Sequence, residues 1–234
     1  MDTRVRIAAR AALHVLRACG PTTLEALWGK VPRELVDARI ARWARDILAD
    51  IEVTLDVRGR EHLVPDEPLV VMSNHQSLYD IPVVYQTLSW SLRMVSKKEI
   101  FYIPIFGHAM RAAEMVRVDR ENRAQAIAGL RDARRLIESG IVVWIAPEGT
   151  RSPDGRLGPF KKGGFILAEE AGVPVLPITI DGTHRILPAR TTDIHLGQQV
   201  RVTIHPRSRR EDFPTREAWM DHVRGAIASA LPAP

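Results

Sequence analysis

The chain has a single cysteine, Cys19, among 234 residues. That excludes an internal disulfide framework and leaves too few thiols for a cysteine-rich zinc site. Of the eight histidines, His62, His108, His184, His195, His205 and His222 show no metal-ligand spacing, so no metal is expected. Long apolar runs are missing too. The most extended, IVVWIA at 141–146 and IFYIPIF at 100–106, fall far short of the roughly 20 residues that span a bilayer. The first residues lack the uncharged core of a signal peptide, because Arg4, Arg6, Arg10 and Arg17 interrupt them. There is no internal repeat, low-complexity tract or long linker. What remains is ordinary for a globular chain, with 45% hydrophobic and 26% charged residues. The expectation is one domain, or one plus an appendage, cytoplasmic and without a membrane span.

Lysine is scarce. Only five of the 33 basic residues are lysine and 28 are arginine, within a net charge of +5. Arginine's planar fork suits phosphate, which fits nucleic acid, a phosphorylated substrate or an acidic lipid surface. A genomic composition bias accounts for the same excess equally well. No recognisable nucleic-acid reader motif is present, and no nucleic-acid partner is expected.

The first fifty residues read as two amphipathic helices. In the first, Arg6, Arg10 and Arg17 share a stripe, and Val5, Ala9, Ala12 and Leu16 form an apolar one about 100° away. In the second, Ile40, Trp43, Ala44, Ile47, Leu48 and Ile51 oppose Arg39, Arg42 and Arg45. Gly20-Pro21 and Val31-Pro32 act as breakers between them. Such a pair either lies on a membrane surface or packs both apolar faces against the main domain. From Ile51 the period becomes two, with Val53, Leu55 and Val57 alternating with polar residues. Short buried strands at 69–72, 92–96, 115–118, 141–146 and 174–180 then alternate with helices at 80–88, 121–139 and 165–171. One or two further strands over 194–204 and a helix at 215–231 close the chain. This order predicts an α/β fold: a mixed, largely parallel sheet flanked by helices, with an N-terminal amphipathic two-helix element. The division is 1–50 for that element and 51–234 for the α/β domain.

Met72-Ser-Asn-His-Gln-Ser-Leu-Tyr-Asp80 falls where a buried strand gives way to a helix, a usual place for binding residues in α/β sheets. His75 and Asp80 are five apart, so they meet only if His75 sits in the turn and Asp80 in the first helical turn. A carboxylate there would fix the imidazole tautomer and leave the other nitrogen as a general base. Ala146-Pro-Glu-Gly-Thr-Arg-Ser152 follows the strand at 141–146. Gly149 permits close backbone approach, Thr150 supplies a hydroxyl, Arg151 can fork two phosphate oxygens, and Glu148 can orient an arginine or hold the loop. Phe160-Lys-Lys-Gly-Gly-Phe165 offers a further anion site, and Arg120 ends the strand at 115–118. Each fragment alone also reads as an ordinary turn or a solvated charge.

In order, NHQSLYD at 74–80, KKEIFYIPIFG at 97–107, VRVDR at 116–120, PEGTRS at 147–152, FKKGGF at 160–165 and VPVLPITIDGT at 173–183 form a series. It resembles the glycerolipid acyltransferases, in particular the 1-acylglycerol-3-phosphate acyltransferases, over about 50–205. The resemblance implies that His75 and Asp80 are the catalytic pair and that Asn74 and Ser77 fill the block's remaining polar positions. It assigns Lys98, Arg120, Glu148, Gly149, Thr150 and Arg151 to the acceptor. Val173–Pro177 matches a block linked to acyl-donor or structural roles. Ala146 stands where the family usually has Phe, and Arg117 where an apolar residue is common. The N-terminal helices resemble the membrane-docking element of short bacterial members.

By this resemblance the chain transfers a fatty acyl group from a thioester to the free hydroxyl of lysophosphatidic acid, giving phosphatidic acid. His75 would act as general base, oriented by Asp80, with no acyl-enzyme on Ser77 and no cofactor. The implied partners are a lysophospholipid acceptor, acyl-CoA or acyl carrier protein as co-substrate, and an anionic membrane surface. The implied location is peripheral, on the cytoplasmic face of the inner membrane. The alternatives are the same chemistry on glycerol-3-phosphate or another lysolipid, and a non-catalytic lipid-binding protein.

Overall fold

The computed structural model describes residues 3–64, 67–119 and 123–232. Two helices, α1 (Thr3–Glu25) and α2 (Arg33–Asp50), precede strand β1 (Thr54–Arg58). The alternating body runs β2 (Val70–Ser73), α3 (Asp80–Thr87), β3 (Leu92–Lys97), α4 (Phe106–Ala112), β4 (Val116–Val118), α5 (Arg123–Glu138) and β5 (Val142–Ile145). It continues with α6 (Gly163–Ala171), β6 (Val175–Asp181), α7 (Thr183–Ile186), β7 (Gln199–Ile204) and α8 (Arg216–Ser229).

The strands form one sheet in the order β1-β7-β6-β2-β5-β3-β4. Neighbours are parallel except β6 and β7, so the mixed, largely parallel sheet read from the sequence is what forms. Every residue of β2, β5 and β6 is buried, because helices cover both faces there. Leu69, Val71, Trp144, Leu176 and Ile178 pack on the side of α2 and α3. Their alternates Val70, Met72, Val143, Ile145 and Val175 pack on the side of α6 and α8. β7 alternates buried and exposed residues, as expected near an edge.

Two local expectations are corrected and a third is narrowed. Gly20-Pro21 does not break the first helix, which runs through to Glu25. The Thr22 hydroxyl, buried under α2, donates back to the Ala18 carbonyl at 2.8 Å and accepts from Arg39. Arg39 also forks both oxygens of Glu25 at 2.8 and 2.6 Å, so packing against α2 overrides the local breaker. The strand expected from Ile51 starts only at Thr54, since Ile51 caps α2 and Glu52 turns into the left-handed region. Ile194 and Leu196 lie in irregular chain, leaving one strand over 199–204.

The two N-terminal helices behave differently. Ala44, Ile47, Leu48 and Ile51 of the second are buried against the body. The apolar stripe of the first, Val5, Ala9, Ala12 and Leu16, is exposed. Leu24, Leu27 and Trp28 extend that exposed surface, and Trp28 is 81% exposed. Among the described residues, no helix is long and apolar enough to cross a membrane.

Candidate active site

The sheet brings the conspicuous loops together. Met72 of β2 pairs with Ile145 of β5 and Pro177 of β6, and Met94 of β3 pairs with Trp144. The loops leaving the carboxyl ends of these parallel strands are therefore neighbours, where open α/β sheets build their sites. A cleft of about 470 Å³ lies there, with His75 on its wall. Leu78, Ile81, Met94, Ile100, Leu130 and Trp144 contribute apolar lining. Lys97, Thr150, Arg151 and Lys161 contribute polar and cationic lining.

His75 sits in the turn after β2 and Asp80 opens α3, the one arrangement that lets them meet. His75 Nδ1 lies 2.7 Å from Asp80 Oδ2. The same oxygen accepts the N–H groups of Gln76 at 2.7 Å and Ser77 at 3.0 Å, and Oδ1 accepts the Thr183 hydroxyl. Asp80 is fully buried and acts only as an acceptor, so Nδ1 carries the imidazole proton. Nε2 is left without a protein partner among the described residues. That geometry leaves Nε2 able to accept a proton at the edge of a cleft.

The loop after β5 braces this turn. Glu148 Oε1 accepts the His75 backbone N–H at 2.7 Å, and Oε2 accepts the Gly158 N–H at 2.8 Å. Ser152 N–H donates to the His75 carbonyl at 2.7 Å. Burial pushes the Glu148 carboxyl above the usual carboxylate range, opposed by those two N–H bonds. With both oxygens taken by backbone, Glu148 holds the loops rather than orienting an arginine.

Asn74 and Ser77 are also bracing residues. The Asn74 amide donates to Ile180 O and accepts Ile180 N–H, both at 2.8 Å, extending the contact between β2 and β6. Ser77 is fully buried and its hydroxyl donates to Leu187 O at 2.8 Å. Gly149, Thr150 and Arg151 line the cleft. Lys98 does not: it opens a 3₁₀ turn over 98–102 and its Nζ meets Asp119 Oδ2 at 2.7 Å. Lys97, the last residue of β3, lines the cleft instead. Arg120 lies outside the described residues.

Sequence reasoning also missed Thr183 and Gln76. Thr183 follows β6 as His75 follows β2, so its position at a strand's carboxyl end was the available signal. Gln76 Nε2 donates to Gly155 O at 2.9 Å, and Oε1 accepts from His184 Nδ1 at 3.0 Å, tying three loops together. Burial holds His184 below its ordinary range, consistent with a neutral donor.

A parallel-centred sheet thus carries an imidazole–carboxylate pair at its carboxyl edge, beside a cleft lined by both apolar and cationic residues. The chain belongs to the acyltransferase family, whose model matches residues 54–181. It is 44% identical over 151 residues to the chloroplastic 1-acyl-sn-glycerol-3-phosphate acyltransferase BAT2 of Brassica napus, covering 64% of this chain and 44% of that one. It is 37% identical over 144 residues to the 1-acyl-sn-glycerol-3-phosphate acyltransferase of Pseudomonas aeruginosa, covering 60% and 53%. The crystal structure of the 1-acyl-sn-glycerophosphate (LPA) acyltransferase PlsC from Thermotoga maritima superposes with a TM-score of 0.83 at 26% identity, over 97% of this chain and 92% of that one. The chain spans about half the length of the curated relatives it matches.

Proposed function

We propose that the chain is an enzyme of phospholipid biosynthesis that moves a fatty acyl group from a thioester to the free hydroxyl of lysophosphatidic acid, giving phosphatidic acid. The observation that carries this reading is the His75–Asp80 pair on the wall of a cleft lined by both apolar and cationic residues. Two relatives from different organisms are named for that activity. His75 Nε2 takes the proton of the acceptor hydroxyl as its oxygen attacks the thioester carbonyl. The tetrahedral adduct collapses, the C–S bond breaks, and the imidazolium returns its proton to the leaving thiolate. Asp80 faces the imidazolium that forms between these steps. A base so placed contributes about 10²–10⁴-fold to rate. The acceptor phosphate lies against Arg151 and Lys97, the family resemblance adds Arg120 to them, and the apolar wall takes acyl chain. Attack is direct, because the Ser77 hydroxyl is buried and committed to a carbonyl. The donor is acyl-CoA or acyl-acyl carrier protein, and no cofactor takes part.

Residues 1–50 serve as a docking element for the acyltransferase domain, 51–234, on an anionic membrane surface at the cytoplasmic face of the inner membrane. The uncovered stripe of α1 supports this. Thr23 donates to Ile105 O at 2.9 Å, tying the end of α1, where Leu24, Leu27 and Trp28 are exposed, to the segment that exposes Tyr102, Ile103 and Ile105. Exposed apolar residues of this kind suit a membrane surface.

The test is thiol release from palmitoyl-CoA with and without lysophosphatidic acid, beside His75→Ala. Acceptor-dependent release that vanishes in the variant is expected. Release without acceptor would replace the transferase by a thioesterase, and no release with any lysolipid or carrier would sink the catalytic reading.

A further inference from the structure

We propose that Thr183 is a positioning residue for the transfer, its hydroxyl holding one oxygen of Asp80 so that the other faces His75. The proposal rests on the acyl-transfer reading above and deepens it.

Asp80 spends its two oxygens unequally. Oδ2 accepts His75 Nδ1 at 2.7 Å and the N–H groups of Gln76 and Ser77 at 2.7 and 3.0 Å. Oδ1 accepts the Thr183 hydroxyl and, among the described residues, no other donor. The carboxylate is fully buried, where a polar atom without a partner is costly. Without the hydroxyl, Oδ1 regains a donor only if the carboxylate rotates, and that rotation takes Oδ2 away from the imidazole.

The hydroxyl has one proton and two acceptors in reach. Gln76 Oε1 lies 3.5 Å away and already accepts His184 Nδ1 at 3.0 Å and the Gly182 N–H at 3.4 Å. Asp80 Oδ1 is the closer acceptor and belongs to a carboxylate, so the proton goes there.

The chain is shaped to deliver this group. Thr183 opens α7 directly after Gly182, at the end of β6. Gly182 has φ of +114°, and a Cβ there would come within 2.5 Å of Gln199 O, so the turn requires glycine. On either side of Thr183 the same segment is tied to the turn that carries His75. Asn74 engages both backbone groups of Ile180, and the Ser77 hydroxyl donates to Leu187 O. Those ties reach residues around the imidazole–carboxylate pair. Among the described residues, only Thr183 of that segment hydrogen-bonds the pair itself, and it is fully buried.

The experiment uses the full chain in detergent, comparing wild type with Thr183→Val, Thr183→Ser, Asp80→Asn and the double variant carrying Asp80→Asn and Thr183→Val. Thr183→Ala is carried alongside, so that a valine variant that does not fold leaves the same comparison. Initial rates are measured with lysophosphatidic acid and palmitoyl-CoA. Thr183→Val is expected to lower kcat about 10-fold, the size of one lost hydrogen bond to a carboxylate, with both KM values within about twofold of wild type. Thr183→Ser recovers most of kcat. In the Asp80→Asn background the valine costs nothing further, because the hydroxyl acts through the carboxylate. An unchanged kcat in Thr183→Val, a loss carried by KM, no recovery with serine, or losses that multiply in the double variant overturns the proposal. The proton resonance of His75 Nδ1–H, identified by its absence in His75→Ala, reads the same contact without turnover. It is expected to move or vanish in Thr183→Val and to return in Thr183→Ser. If the wild type acylates no acceptor, the activity reading falls and this resonance alone judges Thr183. A resonance unmoved by valine, or moved and not restored by serine, then refutes its role.

Discussion

The Glu148 carboxylate accepts the backbone N–H of His75 at 2.7 Å, so a residue of the loop after β5 fixes the position of the imidazole carried by the loop after β2. The contact spans 73 residues of sequence and joins two loops that the sheet register has already made neighbours. Glu148→Gln leaves one of two buried N–H groups, at His75 or Gly158, facing an amide NH₂. A loss of about 1–3 kcal/mol is expected from that mismatch. Thermal melting should show it, together with a fall in kcat larger than any change in KM.

Asp80→Asn tests the tautomer. The asparagine amide cannot accept from His75, Gln76 and Ser77 through one oxygen and from Thr183 through the other. The expected result is a fall of about 10²-fold or more in kcat with acceptor binding retained. Equal activity in the variant would mean that His75 needs no carboxylate to hold its proton on Nδ1.

Arg93 is fully buried in β3, and its Nη1 meets Asp37 Oδ1 of α2 at 2.6 Å. Asp37→Ala leaves this charge inside the protein with only the Leu92 carbonyl, and a cost of about 3 kcal/mol is expected. Arg93→Met with Asp37→Ala should recover most of that stability. Denaturant titration of the three variants separates the pair from its desolvation.

His205 is held below its ordinary pKa, mainly by burial and also by His62. Its Nε2 donates to the Thr179 hydroxyl at 2.8 Å, because that hydroxyl gives its own proton to Ile227 O. The unfolded chain therefore binds this proton more readily than the native one. Stability from His205 is complete above about pH 6.5 and declines as pH falls through the lowered folded value. His205→Gln should flatten the decline of melting temperature between about pH 7 and 5 relative to wild type.

Trp28→Glu and Leu27→Glu place charge on the exposed apolar turn that follows α1. Both should reduce co-flotation with vesicles containing phosphatidylglycerol by several-fold while leaving melting temperature unchanged. Flotation equal to wild type would take this surface out of membrane contact.

Much of this architecture was legible because strand burial leaves a plain record. Val70–Ser73, Val142–Ile145 and Val175–Asp181 are short apolar runs with breakers on either side, and each forms a central parallel strand. The His75–Asp80 pairing was legible through the family resemblance, since the five-residue spacing alone reads equally as an ordinary turn. What could not be read was which way neighbouring side chains point where a strand ends. Lys97 and Lys98 differ by one position, yet the first lines the cleft and the second meets Asp119. Lys161 and Lys162 divide in the same way, the second meeting Glu217. Thr183 escaped notice because its partner Asp80 lies 103 residues away. The persistence of α1 through Gly20-Pro21 depends on Arg39 in another helix, which no local pattern contains.

The pairing of β1 with β7 has a consequence for how the chain is made. Asp56 and Arg201, joined across those strands, are 145 residues apart. β1 makes its sheet contacts with β7 alone, so during synthesis it leaves the ribosome long before its partner exists. The five-stranded parallel centre can assemble first, while β1 stays unpaired beside the two helices that precede it. Closure of that edge is therefore a late event, limited by a long loop rather than by local propensity. Until it happens, the nascent chain presents an open strand edge and the uncovered face of its first helix to the surrounding cell.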